Sequence, residues 1–245
     1  RIYFGLRITE ETFIRQIYLD LPKYLFRMTL SVAEENYIKA IHSLAQKGKV
    51  TTNILAERMQ TKASSATDML QRLGEKGLVD YIKYYGVSLS ELGNRVALKT
   101  IRKHRLWEVF LVDTLGFGWD EVHDIAEQLE HVQSTKLTEK LAAFLGNPEL
   151  DPHGDPIPNA DGNLPEYNVK PLQKCIVGER VSLARVKDGN PEFLQYLERI
   201  ALQLGEKLSI KSFYSFDHSV EVERADGSIL MLSETVSEHL YVTAL

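Results

Sequence analysis

Histidines and carboxylates recur at helical spacing between residues 104 and 131. His104 and Glu108 are four residues apart, and His123, Glu127, Glu130 and His131 follow one another at i, i+4, i+7 and i+8. On helices, each set projects to one face. The same stretch holds the carboxylates Glu108, Asp113, Asp120, Glu121, Asp124, Glu127 and Glu130, and beyond Arg105 it contains no Lys or Arg. Threaded through it are Trp107, Val109, Phe110, Leu111, Val112, Leu115 and Phe117, an apolar run that has to be buried and would carry the polar groups inward with it. Imidazole nitrogen mixed with carboxylate oxygen, without thiolate, suits a divalent ion such as Mn(II), Fe(II), Co(II) or Zn(II) better than Ca(II). The competing reading is a solvated acidic helix whose histidines fall near carboxylates by chance.

A chain of 245 residues can form one large or two modest domains. Its 44% hydrophobic and 26% charged content is that of an ordinary globular protein. The single cysteine, Cys175, excludes an internal disulfide framework or thiolate cluster within one chain, and we expect a reducing, cytoplasmic setting. No run approaches the roughly 18 apolar residues of a membrane span, and we read no secretory signal. Residues 1–27 show no clean pattern and are read as an extension of uncertain origin, upstream sequence or an alternative start, with Met28 as a credible natural beginning.

The net charge of -5 conceals an asymmetry. Residues 49–105 carry eleven basic against five acidic side chains, so the acidic excess lies elsewhere. Only this basic module could approach a polyanion. Just before it, Ser31 caps an expected helix bearing Val32, Tyr37, Ile38, Ile41 and Leu44, ending near Gly48; Thr51 or Thr52 caps a second with Ile54, Leu55 and Met59. After a turn at Gln60 to Ala63, a third helix has Ala66, Met69, Leu70 and Leu73 for the core and short hydroxyls on its first turn. That is the layout of a recognition helix. Two short strands around Gly86 complete a winged helix. Lys62, Ser64, Ser65, Thr67 and, on the wing, Lys83 are the expected DNA contacts. The alternative is a winged-helix module that binds protein.

The segments Asn36-Tyr37-Ile38-Lys39-Ala40-Ile41, Lys76-Gly77-Leu78-Val79, Arg102-Lys103-His104-Arg105-Leu106-Trp107-Glu108, Val122-His123-Asp124-Ile125-Ala126-Glu127, Glu130-His131-Val132 and Gly154-Asp155-Pro156-Ile157-Pro158 together resemble the diphtheria-toxin-repressor family of metal-dependent regulators. The resemblance is strong over about residues 30–160. It implies a mainly α protein with a small β portion: a winged helix-turn-helix domain at 28–92, a helical metal-binding and dimerisation domain at 93–150, a proline-rich linker at 151–170 and an SH3-like, FeoA-type barrel at 171–245. It also implies an ancillary metal site at His104, Glu108 and His123 and a primary site at Glu127, Glu130 and His131, completed from the first helix. The completing position is Asn36, where iron-type members have Met and manganese-type members Asp; Glu35 is the alternative. Glu127 stands where iron-type members have Cys, and a carboxylate there favours Mn(II). Lys39 stands where some manganese-type members have Glu, so two separated sites are expected rather than a close binuclear one. From the barrel the family draws a further ligand, for which Glu192 and Asp188 compete.

The C-terminal stretch supports a barrel on its own pattern. Val181 to Val186, Leu208 to Ile210, Val220 to Val222 and Ile229 to Leu232 alternate between turn residues, with a short helix from Pro191 to Leu202. The expected function is a homodimeric repressor of metal-homeostasis genes that binds a palindromic operator when loaded with Mn(II) or Fe(II), about two ions per subunit, without catalysis. The alternatives are a metalloenzyme with a His/carboxylate site and a metal-independent winged-helix interaction module.

Overall fold

The computed structural model describes residues 30–82, 85–187 and 189–245. The readings for residues 1–27, Lys83 and Asp188 lie outside these. The described chain divides into two compact units after Ala97.

The first unit is three helices and a hairpin. Helix α1 (Val32–Ala45) starts at a capping box: Ser31 Oγ accepts from Glu34 N–H and the Glu34 carboxylate accepts from Ser31 N–H. Thr51 caps α2 (Thr52–Arg58). Gln60 takes a positive φ of 50° in the turn before α3 (Ala63–Glu75). Strands β1 (Val79–Ile82) and β2 (Gly86–Leu89) pair antiparallel. Ile38, Ile41, Leu55, Leu70, Leu73 and Leu78 are fully buried together, so each helix points its apolar stripe at one core. That core orients α3 and leaves its other face in solvent.

Helix α4 (Glu91–Val109) runs on into a π-helical turn, Phe110–Thr114. In the second unit there follow α5 (His123–Leu129) and α6 (Thr135–Phe144), whose N-cap is Ser134. Leu106, Val109, Leu141, Ala142 and Ile157 make a small core there. The apolar run beyond α4 is only half buried: Leu111 is inside, whereas Leu115 and Phe117 are exposed.

Six strands of the second unit form one antiparallel sheet in the order β3-β8-β4-β5-β6-β7. They are β3 (Lys170–Pro171), β4 (Arg180–Val186), β5 (Lys207–Phe213), β6 (Val220–Arg224), β7 (Ile229–Leu232) and β8 (Leu240–Ala244). Helix α7 (Pro191–Arg199) buries Leu194 and Leu197 in the barrel core with Val181, Leu183, Ile210, Val222 and Val242. A one-turn helix, α8 (Glu234–Ser237), precedes β8. Trp119, from the loop before α5, packs against the same core. The register of β4 against β8 shifts between Leu183 and Arg185, and Gly154 sits against that bulge with φ 83°. A Cβ at Gly154 would overlap the Ala184 carbonyl oxygen, so only glycine allows the backbone this close.

Candidate functional site

His104 lies on the buried face of α4, one turn before Glu108. Its Nε2 is 2.9 Å from Glu108 Oε1 and its Nδ1 is 2.6 Å from Glu130 Oε2, with all three side chains buried. A ring that donates both bonds must carry two protons. A divalent ion entering the group would take the place of a proton and convert one nitrogen into a ligand. His123 opens α5 half-exposed, its Nδ1 3.6 Å from Glu108 Oε1 and its Nε2 3.9 Å from Glu127 Oε1. Its ring meets the His104 ring edge-on at 5.0 Å. Burial opposes ionisation of Glu108, but the hydrogen bond from His104 and the nearby His123 ring outweigh it and hold the carboxyl below the ordinary carboxylate range.

Two groups of the expected ligands therefore come together with ligand atoms within 4.8 Å of one another: His104, Glu108 and His123, and His104, Glu127 and Glu130. The second differs from the expected set in having His104 where His131 was read. Helix α5 ends at Leu129, with Glu130 as its C-cap and His131 in the turn that follows. His131 flanks the group, its Nε2 3.8 Å from Glu130 Oε1. In the first unit, Asn36 Oδ1 is buried with no hydrogen-bond partner among the described residues, and neighbouring Glu35 is buried too. Glu192 is exposed on the first turn of α7, its N–H bonded to Asn190 Oδ1, and belongs to neither group.

A third group was not read from the sequence: Glu108, Asp151 and His153, all buried. The available signal was Asp151-Pro152-His153, two metal-ligand residue types at i and i+2 directly before the Gly154-Asp155-Pro156 motif. A single Asp-x-His is a weak mark without the fold that returns it to α4.

On the first unit, Ser64 and Ser65 are exposed on the opening turn of α3 and Lys62 is exposed at its N-cap. Among the described residues no side chain caps this helix, unlike α1 and α2, so its leading N–H groups favour an anion. Thr67 is half-buried, and its Oγ1 donates to the Ala63 carbonyl at 2.9 Å. Among the described residues, no helix is long and apolar enough to cross a membrane.

Comparison with known proteins follows this division of labour. Residues 29–87 match the iron dependent repressor N-terminal DNA binding domain, residues 90–159 the iron dependent repressor metal binding and dimerisation domain, and residues 170–244 the FeoA domain. The iron-dependent repressor IdeR of Mycobacterium bovis is 32% identical over 158 residues, covering 64% of this chain and 67% of the relative. The diphtheria toxin repressor of Corynebacterium efficiens is 31% identical over 220 residues, 79% of this chain and 96% of the relative. A solved manganese-dependent transcriptional repressor in complex with manganese is 40% identical with a TM-score of 0.78, covering 86% of this chain and 100% of that one. A helix-turn-helix unit followed by a His/carboxylate centre and a FeoA-type barrel thus places this chain in the iron-dependent repressor (diphtheria-toxin-repressor) family of metal-dependent, DNA-binding transcriptional repressors, which are not enzymes.

Proposed function

We propose that this repressor acts as a cytoplasmic homodimer that binds a palindromic operator when loaded with Mn(II) or Fe(II), about two ions per subunit. The observation that carries this reading is His104, a buried imidazole held between the buried carboxylates of Glu108 and Glu130. Three ionisable groups withdrawn from water on one helix and its neighbour are costly unless a cation or protons compensate them. His104, Glu108 and His123 are the proposed ligands of one ion; Glu127, Glu130 and His131 would hold the other. The primary set also includes Asn36, whose buried Oδ1 is a neutral donor suited to a hard ion. Glu192, on the first turn of α7, is the proposed further ligand from the barrel.

Oxygen-rich donors without thiolate favour Mn(II) or Fe(II) over softer ions by ligand type. The ion acts by linkage: a state that binds metal better is populated by metal, and if that state is the DNA-competent one, metal raises operator affinity by the same factor by which operator raises metal affinity. Lys62, Ser64, Ser65 and Thr67 on α3, with Lys83, are the proposed DNA contacts. The exposed Val132, Leu137 and Phe144 of the helical part are apolar surface that a dimer would bury. The double variant Glu130→Ala/His131→Ala tests the sensing reading: operator affinity that no longer responds to Mn(II), with metal-free binding retained, is the expected result, and an unchanged metal response would overturn it.

A further inference from the structure

We propose that the ion pair of Glu34 with Lys76 holds the recognition helix α3 to helix α1, and so carries the effect of a metal on α1 into the DNA-binding surface. The proposal deepens the sensing reading and rests on it through Asn36, two residues further along α1. Glu34 is buried, and its two oxygens serve different helices. Oε2 accepts from Ser31 N–H at 2.9 Å and closes the capping box of α1, while Oε1 accepts from Lys76 Nζ at 2.6 Å. Glu34 lies in the first turn of α1 and Lys76 is the C-cap of α3, so the pair complements the dipoles of both helices.

The pair joins directly two helices whose backbones meet mainly through their neighbours. Helix α1 packs chiefly on α2 and β2, and α3 chiefly on α2 and β1. Ile38 and Ile41 share a core with Leu70 and Leu73, but apolar burial is non-directional, whereas a charge-assisted hydrogen bond fixes a geometry. The backbone that presents Lys76 is itself fixed. Gly77 takes a φ of 69°, its N–H bonds to the Gly74 carbonyl at 2.8 Å, and Leu78 N–H reaches the Leu73 carbonyl at 2.9 Å, which is a Schellman ending. The other end of the pair is equally held, since the carboxylate of Glu34 is tied back to Ser31.

This gives α3 a pivot at its C-terminal end. Ser64 and Ser65 sit at the opposite end, roughly 18 Å from Lys76 along the axis at about 1.5 Å per residue. A tilt of about 10° around the pivot shifts that first turn by about 3 Å, the length of a hydrogen bond. Asn36 Oδ1, buried without a hydrogen-bond partner among the described residues, is the α1 atom on which a bound ion would draw. A displacement of α1 then passes through Glu34 to Lys76 and changes the angle at which the first turn of α3 meets a duplex. Glu34 and Lys76 are positioning residues: neither is a proposed metal ligand or DNA contact.

The test uses the full chain and a fluorescein-labelled duplex carrying a palindrome selected from random-sequence DNA with the Mn(II)-loaded wild type. Anisotropy gives the affinity in Mn(II) and in chelator, and their ratio is the metal response; equilibrium dialysis gives Mn(II) bound per chain. The variants are Glu34→Gln, which keeps an oxygen for Ser31 N–H, Lys76→Met, which keeps the aliphatic stem, the two combined, and Lys76→Arg. Glu34→Gln and Lys76→Met are each expected to cut the ratio by about threefold to tenfold, a part of the usual coupling range, with Mn(II) bound per chain unchanged. The combined variant should lose no more than either alone, because both remove the same contact, and Lys76→Arg should keep the wild-type ratio. Melting in chelator checks folding; if Glu34→Gln does not fold, Lys76→Met, whose side chain is 36% exposed, decides alone. A folded Lys76→Met with the wild-type ratio would overturn the proposal, as would equal weakening with and without Mn(II), which is what a merely structural pair gives. A wild type indifferent to Mn(II) refutes the sensing reading itself, whereas a responsive wild type with unaffected variants refutes the role of the pair alone.

Discussion

Replacing His104 by alanine withdraws a ring that both Glu108 and Glu130 contact. His104 is 6% exposed, Glu108 3% and Glu130 0%, so neither carboxylate can recover its hydration. Removing one partner from a buried ion pair costs about 3–5 kcal/mol because the remaining charge stays buried. Glu108 retains His123 at 3.6 Å, a longer and more exposed contact, which keeps the expectation near one such loss rather than two. For a unit of roughly 150 residues, each kcal/mol moves the melting temperature by about 2–4 °C, so His104→Ala should lower the transition of the second unit by roughly 6–20 °C. Differential scanning calorimetry in EDTA reads this directly. Adding Mn(II) should stabilise the wild type, by about 2.7 kcal/mol at a hundred times the dissociation constant, and the variant less, since a ligand is gone. A variant melting within about 2 °C of the wild type in EDTA would mean that His104 does not hold the two carboxylates and that the centre is solvated.

Two further outcomes follow from the same unit. Gly154→Ala places a Cβ on the Ala184 carbonyl at a positive φ, so at least 1–2 kcal/mol of backbone strain is expected; thermal melting should show this loss, and a neutral variant would mean the segment does not seat on the β4 bulge. Asp151 is pushed up to about 7 by burial first, then by the charges of Asp155 and Glu108; an acid raised in the folded state contributes stability that is present below its unfolded value near 4 and lost as pH rises to about 7. Metal-free wild type should therefore lose stability relative to Asp151→Asn between pH 4 and 7, with no further divergence above; parallel melting curves across that range would refute the assignment.

The parts of the fold legible in sequence are those that local physics decides. Ser31 with Glu34, Thr51, and the spacing of Ala66, Met69, Leu70 and Leu73 define three helices and a common core without knowledge of their partners. Alternation in Val181 to Val186 and around Val220 marks barrel strands in the same way. The closing pair, β3 with β8, joins the two ends of that domain through Lys170 against Val242, a non-local contact that no window of sequence displays. The end of α5 at Leu129 was equally hidden, since neither glycine nor proline marks it. Spacing also found His104 with Glu108, because i,i+4 is a property of one helix. Asp151 and His153 reach Glu108 only because Gly154 can approach Ala184, a tertiary event.

The central claim is that metal at the His/carboxylate centre controls DNA binding, and fluorescence anisotropy of a labelled palindromic operator tests it most directly. Chelator-stripped protein is titrated with Mn(II), Fe(II) and Zn(II) at fixed ionic strength, because phosphate contacts make any affinity salt-dependent. Tight binding that appears only with Mn(II) or Fe(II) and disappears on chelation is the expected result. Equal affinity with and without metal would contradict the account and leave the centre a structural feature of the second unit.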